Sequence, residues 1–95
     1  MTNAEQLAAF VTRASFEGIS DRARDQLKLH VIDSLGCAIG ALRAEPIQYI
    51  RDHIADFGGN SQCTLIGGGK TSPDRAAFYN SALVRYLDFN DSYLA

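Results

Sequence analysis

The sequence predicts an all-α fold of about four helices joined by one short extended connector. Three observations predict it. Apolar residues recur at three- and four-residue steps in four separate segments, the spacing that lines one face of a helix. Most of these segments are bounded by helix start and stop residues, with Asn, Ser or Pro in front and Gly behind. One run alone, Cys63 to Ile66, has the composition of a strand, and a lone strand has no partner with which to build a sheet.

The first segment carries Leu7, Phe10, Val11 and Ala14 behind a capping box from Asn3 to Gln6, which predicts a helix from about Ala4 to Ala14. Gly18 closes the connection after it. Ser20 caps a long second helix whose inward stripe reads Ala23, Leu27, Val31, Ser34, Leu35, Ala38, Ile39 and Leu42. From Val31 to Leu42 the only charge is Asp33, and Ser34, Gly36, Ala38 and Gly40 are small, so neighbouring helices could approach closely on every side. A buried central helix is expected there, with packing offsetting about 1 kcal/mol for each interior glycine. Pro46 in a first turn and Gly58-Gly59 at the stop frame the third helix, whose core face is Ile47, Ile50, Ile54 and Phe57. The run Cys63 to Ile66 follows as a connector strand or extended loop. Ser72 as N-cap, Pro73 in the first turn and Asp74 near the positive helix end then start a fourth helix, with Ala76, Ala77, Asn80, Leu83, Val84 and Leu87 facing inward.

Composition narrows the functions open to such a fold. Ninety-five residues, 46% of them hydrophobic and 21% charged, bound the chain to one domain or less. The formal charge of −2 arises from interspersed acids and bases, which argues against a nucleic-acid partner or an anionic membrane surface. No stretch approaches the roughly 18 consecutive apolar residues of a membrane span, and the N-terminus lacks the basic start of a signal peptide, so the cytoplasm is the expected location. Cys37 and Cys63 show no CxxC or Cys/His spacing and are expected as free thiols. His30 and His53 each lack a second ligand at metal spacing, so a metal site is not expected. Gly69-Lys70-Thr71 stands where a phosphate-binding loop would place its Gly-Lys-Thr. The other anchor of that motif is missing, however, because Thr64 occupies the position of its first glycine and Pro73 removes a donor from the helix start. A glycine-rich, hairpin-like turn is the expectation for that stretch.

The last eleven residues, Arg85 to Ala95, cluster acid, amide and hydroxyl groups between large apolar side chains. Leu83, Val84 and Leu87 call for a core to cover them, which leads to the expectation that the chain is truncated and that these residues edge an active site whose other wall is encoded downstream. Ser81, Arg85, Asp88 and Ser92 are spaced four, three and four, so a continuing helix would align them as one polar stripe beside Val84 and Leu87. Asp88 would sit at the boundary, partly desolvated, where burial and a nearby cation can tune a carboxylate for proton transfer. The alternative is equally concrete. Asp88 would pair with Arg85 across one turn, and Asn90-Asp91-Ser92 would end the helix in side-chain-capped turns.

The run Ala82-Leu83-Val84-Arg85-Tyr86-Leu87-Asp88-Phe89-Asn90-Asp91-Ser92 resembles the signature of the 2-methylcitrate dehydratase (MmgE/PrpD) family, Asn-Gly-Ala, a few residues, then Leu-Asp-Phe-Asp/Asn-Asp-Thr/Ser. Asn80-Ser81-Ala82 departs from it by one residue. Ile32-Asp33-Ser34-Leu35-Gly36-Cys37-Ala38-Ile39-Gly40 is similar to the family's Asp-Thr/Ser-Leu-Gly helix, and the glycine-rich run before Ser72-Pro73-Asp74-Arg75-Ala76-Ala77 is similar to the lead-in of its signature helix. The resemblance spans nearly the whole chain.

It implies that the chain is the N-terminal part of the large helical domain of an MmgE/PrpD-like enzyme, which carries a smaller α/β lid, forms a homodimer and needs no metal or iron-sulfur cluster. It maps the first acid of the signature onto Asp88 as a catalytic residue and the hydroxyl four positions later onto Ser92 as a substrate contact, with Asn90 and Asp91 as neighbouring substrate contacts. The implied reaction is loss of water from a small tricarboxylate, 2-methylcitrate, in propionate breakdown. The Arg-Tyr-Leu-Asp-Phe-Asn-Asp-Ser form is closer to that branch than to the cis-aconitate decarboxylase or epimerase branches. Such an elimination needs a base, an acid and cations to hold the substrate, more than these 95 residues offer alone, so the piece by itself is expected to be inactive. From a different functional class, a non-catalytic helical module would use the outer stripe of helix four and Tyr93-Leu94 to bind a partner.

Overall fold

The computed structural model describes residues 1–90. Its elements are α1 (Asn3–Arg13), α2 (Asp21–Ala41), α3 (Glu45–Phe57), β1 (Cys63–Thr64), β2 (Lys70–Thr71) and α4 (Pro73–Tyr86), a helical architecture with one small hairpin.

The capping box of α1 lies one residue earlier than the sequence suggests. Thr2 Oγ1 accepts from the Glu5 N–H at 3.1 Å, and Glu5 Oε2 accepts from the Thr2 N–H at 2.7 Å. A hydroxyl followed three residues later by an acid satisfies two orphan donors at once, which the Asn3–Gln6 pair does not achieve here. These hydrogen bonds hold the Glu5 carboxyl below its usual range. The expected apolar face of α1 forms but stays uncovered among the described residues, with Leu7, Phe10 and Val11 each more than 60% exposed.

Ser20 caps α2 as expected, accepting from the Ala23 N–H at 3.2 Å. From the first turn of α2, the Arg24 guanidinium reaches back to lie 4.3 Å from the centre of the Phe16 ring and donates to the Phe16 carbonyl at 2.7 Å, which fastens the α1–α2 connection. Burial along α2 differs from the expected stripe. Leu27, Val31, Leu35 and Ile39 are exposed, and the covered side is Cys37, Ala38 and Ala41. The reason is the partner. α2 packs chiefly against α4, and the small side chains of its last turns set the distance of approach. At Gly40 an added Cβ would come within 3.1 Å of Leu87.

In α3, Pro46 occupies the first turn and Gly58 ends the helix at φ +68°, a left-handed angle that glycine adopts freely. Ile47 and Ile54 are buried and Ile50 is half-buried. Phe57 corrects the expected core face. It remains at the surface, its ring 4.5 Å from that of His53 and under the Arg75 guanidinium at 5.7 Å.

The expected connector is an antiparallel hairpin, with Cys63 opposite Thr71 and Thr64 opposite Lys70. Leu65 donates to the Gly69 carbonyl at 2.9 Å, and Gly67, Gly68 and Gly69 turn the chain at φ +96°, +118° and +93°. Gly69-Lys70-Thr71 is therefore turn and returning strand, in agreement with the hairpin-like reading.

Ser72 starts α4 but does not cap it with its side chain. Its hydroxyl donates to Asp74 Oδ1 at 2.6 Å instead and keeps that carboxyl below its usual range. The buried face of α4 is Ala76, Tyr79 and Leu83, whereas Ala77 points to solvent. The core gathers Ala38, Ala41, Ile47, Ile54, Leu65, Ala76, Tyr79 and Leu83 where the end of α2, α3, the hairpin and α4 meet. Cys37 and Cys63 are free thiols. No helix among the described residues is long and apolar enough to cross a membrane.

Candidate functional site

α4 does not continue through the signature. It ends at Tyr86 with Leu87 as C-cap, and Asp88 turns to φ +57°, the one non-glycine residue with positive φ among those described. Ser81 and Arg85 stay on the helix while Asp88 leaves it, so the expected four-residue stripe is broken at its third member. The left-handed bend also puts the Asp88 side chain in the open, 80% exposed, rather than partly desolvated against the core.

Arg85 organises this bend. Its Nη2 donates to Asp88 Oδ1 at 2.8 Å and its Nη1 donates to Asn90 Oδ1 at 2.9 Å. The Arg85–Asp88 pairing expected from the alternative reading is thus present, across a helix end rather than along a helix face. The Asp88 N–H closes the turn on the Arg85 carbonyl at 3.1 Å. Two predicted site residues, Asp88 and Asn90, are brought together by a cation, while Asp91 and Ser92 lie outside the described residues. In solvent such a pair is screened, and its main effect is geometric: it fixes where the carboxylate points.

Beside Arg85, between α2 and α4, lies a cavity of about 330 Å³ lined by Ser34, Asn80, Ser81, Val84 and Arg85. Its polar lining consists of two hydroxyls, an amide and a guanidinium, with no acid. That combination suits a carboxylate, which accepts charge-assisted bonds from arginine and neutral ones from hydroxyls.

Two positioning residues stand behind the site, Asn80, whose inward placement is expected from the sequence, and Tyr79, which is not among the expected core residues. Asn80 straddles the hairpin, donating from Nδ2 to the Thr64 carbonyl at 3.0 Å and accepting at Oδ1 from the Ile66 N–H at 2.9 Å. Tyr79 is fully buried, and its hydroxyl accepts from Arg51 Nε at 3.2 Å and Nη2 at 3.1 Å. Arg51 also reaches the Gly68 carbonyl at 3.0 Å, so α3, the glycine turn and α4 are tied at one point. The only available signal was an asparagine and a tyrosine on adjacent positions of an apolar helix, each needing a buried partner.

Among the described residues, no group of three or more His, Cys, Asp or Glu side chains could hold a metal ion. The family model of the MmgE/PrpD N-terminal domain matches residues 5–95. No curated protein and no solved structure matches the chain. The family match takes in α2, the hairpin, α4 and the Arg85–Asp88–Asn90 bend in a single span, and the chain therefore belongs to the MmgE/PrpD family.

Proposed function

We propose that this chain contributes the first part of the helical domain of a cytoplasmic, homodimeric hydro-lyase that eliminates water from 2-methylcitrate in propionate catabolism. Membership of the MmgE/PrpD family supports a lyase at the level of the family. The observation that carries the site is the backbone of Asp88. An aspartate held at φ +57°, where glycine would be less strained, and tethered by Arg85, is the kind of outlier that accumulates at functional sites.

In the proposed reaction a base removes the proton from the carbon next to a carboxylate, the C–O bond breaks, and the departing hydroxyl takes up a proton and leaves as water. Asp88 carries one of these protons. Asn90, Asp91 and Ser92 contact the substrate, and Arg85 with the Ser34 and Ser81 hydroxyls offers a seat for one of its carboxylates. No cofactor enters the scheme.

The test is the full-length enzyme carrying Asp88→Asn, which keeps the shape and removes the charge. Dehydration of 2-methylcitrate is expected to fall by roughly a hundredfold or more, the scale of a positioned acid or base. Ser92→Ala should be milder, and Asp33→Asn, an exposed acid on α2, should leave turnover nearly unchanged. Wild-type turnover in Asp88→Asn, or activity lost only through unfolding, would reduce Asp88 to a structural partner of Arg85. Turnover of a different tricarboxylate or of cis-aconitate in preference would move the protein to another branch of the family.

A further inference from the structure

A second cavity, of about 280 Å³, opens on the far side of the hairpin, between the end of α3 and β2. Arg51, Lys70, Ser61 and Gly69 line it together with the Gly58-Gly59 stop, and none of its lining residues is acidic. Arg51 is half-buried and has no carboxylate partner among the described residues. Its Nε and Nη2 donate to the Tyr79 hydroxyl and to the Gly68 and Ile66 carbonyls, which hold the guanidinium in place but leave its charge uncompensated. Nη1 makes none of these bonds and lies towards Gly69, 3.9 Å from where a Cβ of that residue would stand. Lys70 adds a second cation on the adjacent strand, its side chain exposed. Two positive charges in a concave, partly desolvated setting focus a potential that attracts an anion.

The geometry points to a binding site for a tetrahedral oxyanion of the phosphate class, and we propose that Arg51 Nη1, Lys70 Nζ and the Ser61 hydroxyl hold it. The donors select the shape of the anion. Every two-pronged edge of a guanidinium includes Nε or Nη2, and both are already engaged on Arg51, so the planar fork that a carboxylate prefers is not on offer. What remains is a single Arg NH2 group, a lysine point charge and a hydroxyl, contributed by three separate segments of the lining, and such independent donors suit the separate oxygens of a tetrahedral anion. Glycines at 58, 59 and 69 add no side chains of their own to the lining. The site differs from a nucleotide loop, because the turn before Lys70 runs back into a strand and not into a helix start.

The experiment is a titration of the full-length protein, isotope-labelled over these residues, with inorganic phosphate against chloride at matched ionic strength, followed by amide chemical shifts. Saturable shifts at Ser61, Gly69, Lys70 and Thr71 are expected, with sulfate reproducing them and citrate, a carboxylate of higher charge, giving much weaker ones. Lys70→Ala should weaken phosphate binding by about fivefold, the scale of one exposed ion pair, and Lys70→Arg should largely restore it. Lys70 is exposed, and an otherwise unchanged amide spectrum certifies that each variant folds. Absence of saturable shifts, shifts unaffected by Lys70→Ala, or stronger binding of citrate than of phosphate would each overturn the proposal.

Discussion

Replacing Asn80 with alanine should loosen the hairpin from α4 and cost the fold more than its half-exposed position suggests. The side chain makes two hydrogen bonds to the hairpin backbone, to Thr64 O at 3.0 Å and from Ile66 N at 2.9 Å. A typical protein hydrogen bond contributes about 0.5 to 1.5 kcal/mol net, so the pair amounts to about 1 to 3 kcal/mol. The upper part of that range is expected, because the half-buried Ile66 N–H is left without its acceptor. Urea unfolding of the variant and of the unaltered chain measures the difference, and hydrogen exchange at the Ile66 amide localises it. The same residue offers a stricter check. Ile66 O accepts from Tyr79 and Arg51 while Ile66 N–H serves Asn80, so Asn80→Ala and Tyr79→Phe act on the two adjoining peptide units of one residue. Their effects should depart from additivity by about 0.5 kcal/mol or more. Unchanged exchange at Ile66 together with a stability loss under about 0.5 kcal/mol, the level of a surface substitution, would show that Asn80 is not the clamp described here.

Leu83→Ala should cost about 2 to 5 kcal/mol, as for other fully buried leucines, whereas Leu35→Ala in the same chain should cost under about 1 kcal/mol, since Leu35 is 45% exposed; thermal or urea unfolding of the two variants side by side checks the assignment, and equal losses would place the core on the wrong face of α2. Acid should release the start of α1: the folded Glu5 carboxyl titrates below its ordinary value of 4.5, so its contribution is fully present above that pH and is lost as pH falls through the lower folded value. Amide shifts of Thr2 and Glu5 followed from about pH 6 to about pH 2 should show this loss, and Thr2→Ala should abolish it, persistence in that variant being the contrary result.

The starts of α2, α3 and α4, the end of α3 and the glycine turn were legible because they rest on local chemistry: Ser20, Pro46, Gly58, Pro73 and the glycines of the turn each satisfy a backbone requirement within a few residues of themselves, whereas the partner strand Lys70–Thr71 was not foreseen. The inward faces were less legible, because burial depends on which neighbour arrives. Periodicity gives α2 an apolar stripe through Leu27, Val31 and Leu35, yet α4 reaches only its last turns, and there the small residues Ala38 and Ala41 matter more than the large ones. Phe57 misled for a related reason, as an aromatic ring can be held at the surface by His53 and Arg75 instead of entering the core. At the candidate site the residues were identifiable as types, and the Arg85–Asp88 pair was among the alternatives. The helix break was not visible, because nothing in Leu87-Asp88-Phe89 is a strong stop, and the left-handed turn falls on an aspartate where a glycine or asparagine would have announced it.

The candidate site therefore depends on a relay of fixed parts. Arg51 and Asn80 tie the glycine turn to α3 and α4, and that tie sets the lateral position of α4. Tyr79 and Leu83, both fully buried, fix the rotation of the helix about its axis. Arg85, still on the helix two residues after Leu83, projects in a determined direction, and through its two Nη groups it decides where the side chains of Asp88 and Asn90 stand. Asp88 is on an exposed bend, but the bend hangs from a helix with a fully buried face, which is how a loop residue acquires the fixed position that the proposed proton transfer would demand. In this arrangement, changes at Asn80 or Tyr79 would act on the placement of Asp88 although neither touches it, and the seat beside Arg85 would move with them, because Asn80 lines that cavity as well.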